Sequence, residues 1–312
     1  MRRLIVIAAA LPLAACGNSS GGKGSDAGTD AGAGGPLVFA IVGDTRPANP
    51  CPSTSNCPYP TAIITEIYKD MTQVTPAPQI VVGTGDYMYN DPGTGTASWQ
   101  VQQYLTAEAQ ISVPFYPAMG NHECTGYTSS ECGSDNSDGV TENFTAFLSG
   151  MLGGLKLPNS TPYYVETVPA GPGQTAKFVF MAANAWDQTQ STWLDATLAQ
   201  PTTYTFVIRH EPSSDARDCP GITPSDQIIS AHPLTLKIVG HSHEYSPYDS
   251  TYQEVIVGNG GAPLDSGSSY GFVLCQQRSD GAIQCADYDY QSNAPTGTAF
   301  ALTAAGQSTP TQ

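Results

Sequence analysis

The sequence predicts a layered α/β sandwich, and three features carry that expectation. Short apolar runs each stop at a polar cluster, helical periodicities lie between them, and the last third is dominated by strand-like segments. A chain of 312 residues with 40% apolar composition can bury one large core or two small ones. Only 12% of the residues are charged, about half the usual share. With 32 Gly, 25 Pro and 16 Tyr, the composition favours strands and loops over a helical bundle. The formal charge of -16 argues against a nucleic-acid partner, because binding a phosphate backbone needs clustered Lys and Arg.

In chain order, the first element reads as a targeting signal. Arg2 and Arg3 precede the apolar run Leu4 to Leu13, and Ala14-Ala15-Cys16 supplies small residues at a cleavage site. Residues 1–15 are therefore read as a signal peptide, since the apolar run is far short of the roughly 20 residues that span a bilayer. Leu13-Ala14-Ala15-Cys16 resembles the bacterial lipobox. That resemblance implies cleavage before Cys16, a diacylglyceryl group on its sulfur, and an extracytoplasmic protein anchored to a membrane of the bacterial cell envelope. Ordinary secretion with a coincidental cysteine is the alternative. Losing Arg2 and Arg3 would leave the mature chain at -18. The linker, residues 16–35, has eight Gly and no aliphatic residue larger than Ala, the composition of a flexible tether. One folded domain is expected over 36–290. Residues 291–312 carry no charge and few large apolar groups, and read as a loosely attached polar tail.

Within the folded part, LVFAIV (37–42) runs into Gly43-Asp44, and IVV (80–82) runs toward Gly85-Asp86. VPFYPAM (113–119) runs into Gly120-Asn121-His122-Glu123, TYTFVI (203–208) into Arg209-His210, and LKIV (236–239) into Gly240-His241-Ser242-His243. Each reads as a strand followed by a tight loop that displays a metal-competent side chain. Between them, Ile63, Ile64, Ile67, Tyr68, Met71 and Val74 follow a helical pattern, as do Trp99, Val101, Gln102 and Leu105, and later Trp193, Leu194 and Leu198. In such sheets ligands gather at the carboxyl ends of strands, where all five clusters fall.

Around Ser279-Asp280-Gly281, the runs YGFVLCQQR and AIQCADYDY read as a hairpin whose register sets Cys275 opposite Cys285. Export to an oxidising compartment makes this pair a disulfide candidate, together with Cys51–Cys57 and Cys124–Cys132, each closing a short polar loop. Cys219 is left either as a buried thiol or as a sign that the pairing differs. His232, ahead of Pro233, reads as a loop or helix-end residue, and Asn259-Gly260-Gly261 as a turn supporting the site.

Two Asp, one Asn and three His on separate strand ends are donors suited to Fe, Mn or Zn. A shared carboxylate among them can bridge two ions roughly 3.5–4 Å apart, as in two-metal displacement at phosphorus. Each element alone is weak, since Gly-Asp is usually a turn and Asn-His a loop pair. The ordered set Gly43-Asp44, Gly85-Asp86, Gly120-Asn121-His122-Glu123, Val207-Ile208-Arg209-His210 and Gly240-His241-Ser242-His243 resembles the calcineurin-like metallophosphoesterase family, over residues 37 to about 260. The resemblance implies an αββα four-layer sandwich, two metal ions, and hydrolysis of phosphate esters by attack of a metal-bound hydroxide. It implies Asp86 as the bridging ligand, with Asn121, His210 and His241 completing one metal position and Asp44 and His243 serving the other. His122 would protonate the leaving group or hold the phosphate, and Glu123 would orient His122.

The first motif departs from the family, because Asp44-Thr45-Arg46 has Arg46 where many members have a His ligand. The second, Gly85-Asp86-Tyr87-Met88-Tyr89, resembles the Gly-Asp-x-x-Tyr of purple acid phosphatases, where the Tyr phenolate binds ferric iron. Tyr89 is thus either a ligand, implying iron paired with zinc, manganese or a second iron, or a packing residue. Arg46 either pairs with a phosphate oxygen or forms a surface salt bridge. The expected substrate is a small phosphomonoester, because strong negative charge disfavours long polyanions. A phosphodiesterase or nucleotidase of the same fold, or a catalytically silent surface binding lipoprotein, are the alternatives.

Overall fold

The computed structural model describes residues 35–90, 93–155, 157, 161–215, 218–265 and 267–312. The signal segment 1–15, Cys16 and the linker up to residue 34 lie outside the described residues. The first half of the chain alternates as the apolar pattern demands: β1 (Val38–Val42), α1 (Thr61–Met71), β2 (Ile80–Gly83), α2 (Ala97–Glu108) and β3 (Phe115–Pro117). A short helix, α3 (Glu142–Ala146), leads to β4 (Tyr164–Pro169), β5 (Thr175–Phe180), α4 (Gln188–Leu198), β6 (Tyr204–Ile208), α5 (Ile222–Ile229), β7 (Leu236–Val239), β8 (Tyr245–Asp249) and β9 (Glu254–Val257). The chain then runs through β10 (Gly271–Gln277), β11 (Ile283–Asp289), β12 (Ala294–Leu302) and β13 (Ser308–Thr309).

These strands form two sheets. One has the order β13-β12-β11-β10-β1-β2-β3, with β1, β2 and β3 parallel; the other has the order β4-β5-β6-β7-β9-β8, with β5, β6, β7 and β9 parallel. Strands β1, β2, β6 and β7 are buried along their whole length, which explains why β1 and β2 read as continuous apolar runs instead of alternating ones, while β6 and β7 bury Thr205 and Lys237 among their apolar residues. The sheets meet through aromatic rings: Phe39 of β1 stands edge-on to Phe178 of β5 and Phe206 of β6, with centroids 5.1 and 5.0 Å apart. Burying a ring of this size stabilises the fold by about 1.5–3 kcal/mol.

Helices cover the outer faces. Tyr68 of α1 and Tyr104 of α2 pack on Phe115 of β3, while Leu194, Leu198, Ile222 and Ile229 of α4 and α5 pack with Val179 and Val207. The architecture is the four-layer α/β sandwich expected from the sequence. Helix α1 buries Ile64, Ile67, Tyr68 and Met71, whereas Val74 lies in the turn beyond the helix end and is buried there. Helix α4 starts where the Asp187 side chain accepts the Gln190 N–H at 2.6 Å, a side-chain N-cap. Among the described residues, no helix is long and apolar enough to cross a membrane.

The C-terminal residues depart from expectation. Residues 291–312, read as a loosely attached polar tail, instead extend the first sheet, where Ile283 pairs with Leu302 and Cys285 with Phe300. Phe300, Ala301 and Leu302 are buried, and the Thr235 and Tyr248 hydroxyls donate to the carbonyls of Ala304 and Gly306. Strand pairing uses backbone groups, so one buried apolar triplet is enough to fix an otherwise polar segment. Three disulfides join Cys51–Cys57, Cys124–Cys132 and Cys275–Cys285, the last across directly opposed positions of β10 and β11. Cys219 is buried and forms no disulfide among the described residues.

Candidate metal and active site

The loops after β1, β2, β3, β6 and β7 open on one end of the two sheets, bringing Asp44, Asp86, Asn121, His122, His210, His241 and His243 together. Asp44, Asp86 and His241 adopt left-handed backbone conformations, with φ of 54°, 60° and 69°. Non-glycine residues pay strain for such geometry, which turns each side chain sharply off its strand. The turns are held by the Asp44 N–H donating to Gly85 O at 3.0 Å, Thr45 N–H to Asp86 O at 3.0 Å, and His241 N–H to an Asp44 carboxylate oxygen at 2.9 Å. Crowding explains the motif glycines. At Gly85, with φ of 112°, a Cβ would meet His210 Nδ1 at 2.7 Å, and at Gly120 it would strike the Asp86 carboxylate.

Two groups of donor atoms flank Asp86. On one side, Asn121 Oδ1 lies 3.1 Å from His210 Nε2 and 3.2 Å from His241 Nδ1, and the two ring nitrogens are 3.2 Å apart. Asp86 Oδ1 is 3.3 Å from His210 Nε2. The Asn121 amide N–H donates to Gly126 O at 2.7 Å, which turns its oxygen inward, and His210 Nδ1 donates to Thr84 O at 2.9 Å, which turns Nε2 inward. On the other side, one ligand atom each from Asp44, Asp86 and His243 lie within 4.8 Å of one another. His243 Nδ1 donates to Pro263 O at 2.7 Å, again leaving Nε2 facing the site.

The electrostatics call for positive charge. Burial pushes the Asp44 carboxyl well above the usual range, and its buried Oδ1 has no hydrogen-bond partner among the described residues. Burial also opposes charge on Asp86 and His210. Their mutual attraction outweighs it, holding the Asp86 carboxyl down and the His210 ring up. Burial pushes His241 down to about 4 and lowers His243, so both rings are neutral and present lone pairs at ordinary pH. An orphaned carboxylate oxygen, converging lone pairs and tautomers set by backbone carbonyls fit metal ions of the Fe, Mn and Zn type.

The remaining expected residues take more particular places. His122 donates its backbone N–H to Asp86 Oδ1 at 3.1 Å, and its ring Nε2 is 3.9 Å from Asp86 Oδ2. Its buried Nδ1 has no hydrogen-bond partner among the described residues, and burial pushes the ring down to about 3. Glu123, expected to orient His122, instead accepts the backbone N–H groups of Asp86, Tyr87 and Gly120, each at 2.8 Å. His122 is steadied by Asn143, whose amide donates to the His122 carbonyl at 2.9 Å.

Arg46 is no surface salt bridge: its side chain is 14% exposed, with Nε 3.3 Å from Asp86 Oδ2 and Nη2 3.2 Å from His243 Nε2. Tyr89 is half-buried, its ring 4.8 Å from the Arg46 guanidinium carbon and 4.4 Å from the His122 ring. His232 lies away from the site, pairing with Asp195 at 2.7 Å. Asn143 and the Thr84 and Pro263 carbonyls escaped sequence reading, because nothing in residue type marks a backbone oxygen as a tautomer-setting partner.

Residues 37–245 match the model of the calcineurin-like phosphoesterase family. The chain belongs to that family. A comparison with curated proteins finds no match. Among solved structures, it is similar to the purple acid phosphatase PPD1 from yellow lupin (Lupinus luteus) seeds, with TM-score 0.59 and 16% identity over 85% of this chain and 53% of that one. It is also similar to a dimetal phosphatase from Danio rerio, with TM-score 0.57 and 13% identity over 86% of this chain and 98% of that one. The chain thus spans about half the length of the lupin protein. At these identities, the likeness is one of fold.

Proposed function

We propose that the chain hydrolyses small phosphomonoesters with the help of two metal ions held on either side of Asp86, one of them iron on the side that carries Tyr89. The observation that supports this most is the convergence of acceptor atoms on both sides of a single buried carboxylate. Asn121, His210 and His241 would hold one ion with Asp86; Asp44, His243 and the Tyr89 phenolate would hold the other. When bound, such a pair lowers the pKa of water and offsets charge at phosphorus.

The chain's own residues do the rest. Glu123 fixes the backbone on which Asp86 is carried, and Asn143 fixes that of His122. A neutral His122 offers one N–H to a phosphate oxygen, and a bound dianion beside it raises its pKa toward that of a general acid. The formal charge of -16 supports a small substrate over a long polyanion. The lipobox-like segment ending at Cys16 and the three disulfides support an extracytoplasmic, lipid-anchored protein of the bacterial cell envelope. Cys16→Ser should move the protein from the membrane to the soluble fraction; identical partitioning of variant and wild type removes the anchor.

The test is a panel of phosphomonoesters and phosphodiesters, run beside metal analysis by mass spectrometry. Monoester turnover that is lost on chelation and returns with metal supports the reading. Turnover of diesters alone shifts the substrate class, and no turnover of either removes the enzymatic reading in favour of a binding module.

A further inference from the structure

We propose that Arg46 is a built-in cation that competes with a metal ion for one half of the site. On this account the chain holds one ion tightly among Asp86, Asn121, His210 and His241, and admits a second beside Asp44 and His243 only when the guanidinium turns away. The proposal rests on the phosphoesterase reading above and concerns how the second ion is admitted.

His243 Nδ1 lies 2.7 Å from Pro263 O, and a carbonyl only accepts, so Nδ1 carries the proton. Arg46 Nη2 lies 3.2 Å from His243 Nε2, and a guanidinium only donates, so Nε2 must be the acceptor. An imidazole nitrogen has one in-plane lone pair. It can accept from Arg46 or bind a metal, and it cannot do both.

The other contacts of the guanidinium fall on the same half. Its Nε is 3.3 Å from Asp86 Oδ2, the oxygen turned away from His210, while Asp86 Oδ1 is the one 3.3 Å from His210 Nε2. Its carbon stands 4.8 Å from the centroid of the Tyr89 ring, and its Nη1 donates to Pro47 O at 3.1 Å. Asp86, Tyr89 and His243, three groups expected around the second ion, are thus each engaged by Arg46. Asn121, His210 and His241 make their site contacts with one another and with the aspartates. The loss of the His243 lone pair falls on one half only, and the repulsion from the fixed positive charge is strongest on that same half, where the guanidinium is nearest.

The experiment strips the protein with a chelator, dialyses it against zinc buffers of increasing free concentration, and counts zinc per chain by mass spectrometry. Wild type should hold one ion over a wide range and take the second only at about 10–100-fold higher free zinc, the span by which neighbours of metal ligands alter affinity. Arg46→Ala, and Arg46→Gln as the gentler variant that keeps length without charge, should take both ions in the lower range. Arg46→Lys, retaining a cation, should stay closer to wild type. Two ions of matched affinity in wild type, or one ion in both uncharged variants, overturn the proposal and leave the phosphoesterase reading standing. No zinc in any variant at any concentration overturns both.

Discussion

The Glu123 carboxylate carries the backbone of Asp86: Oε2 accepts the Asp86 N–H at 2.8 Å and Oε1 accepts that of the next residue, Tyr87, also at 2.8 Å. The same Oε2 takes the Gly120 N–H at 2.8 Å, so one buried carboxylate ties the loop after β2 to the loop after β3. Glu123→Gln keeps the shape but replaces one acceptor oxygen with a donor facing an N–H. Metal affinity, measured by competition with a chelator, should fall by about 10–100-fold while the fold is retained. Unchanged affinity would mean that the loops hold their shape without this tie.

His122 reaches the site through its ring and touches Asp86 only loosely, at 3.9 Å. His122→Asn should therefore leave metal content intact and lower kcat by about 10²–10⁴ on esters with poor leaving groups. The loss should shrink with an activated phenolic leaving group that departs without a proton. Equal losses on both kinds of ester would assign His122 to phosphate binding alone.

Tyr89 is placed to report on metal identity. A free phenol has a pKa near 10, so its ligation at neutral pH calls for a strongly Lewis-acidic ion such as ferric iron. Protein loaded with ferric iron should show a visible phenolate-to-iron charge-transfer band, and Tyr89→Phe should abolish it. A colourless iron-loaded wild type would make Tyr89 a packing residue against Arg46 and His122.

Asp226 links two buried cations, with Arg209 Nη1 at 3.0 Å and Lys237 Nζ at 2.9 Å. Burial would raise its carboxyl, but Arg209 and Lys237 outweigh that and hold it below the usual range. A folded pKa below the unfolded one means that the stabilisation is complete above the unfolded value, near 3.9, and fades as the pH falls through the folded one. Asp226→Asn should cost about 1–3 kcal/mol at pH 7, less than a fully buried pair, because the Asp226 side chain is 26% exposed. Urea unfolding of wild type and variant should converge below about pH 3.9; an equal gap at pH 7 and pH 3 would contradict this.

The strand ends were legible because burial on both faces makes β1 and β2 continuous apolar runs and leaves Thr205 and Lys237 as the polar interruptions of β6 and β7, and because each run leads into a motif of the site. The hairpin of β10 and β11 was legible for a different local reason, the short Ser279-Asp280-Gly281 turn that sets Cys275 opposite Cys285. Contacts made across long stretches of chain were not. Arg46 meets His243 from 197 residues away, and Thr84 meets His210 from 126, through a carbonyl that any residue supplies. The contacts of Glu123 were not legible, because adjacency to His122 is a property of the chain, whereas its hydrogen-bond partners are the backbone N–H groups of Asp86, Tyr87 and Gly120. Strand β12 was missed because its outer six residues are exposed and polar or small, and only Phe300 to Leu302 reach the core.

The Asp86 carboxylate lies between the two halves of the site and is the group both would share. The most direct measurement is zinc or iron content and phosphomonoester turnover of Asp86→Ala beside wild type, with thermal unfolding as the check on folding. A folded variant that has lost both bound metal and turnover is the result expected, with wild type regaining activity when stripped and reloaded. A folded Asp86→Ala protein with wild-type metal content and wild-type turnover would contradict the assignment of the site.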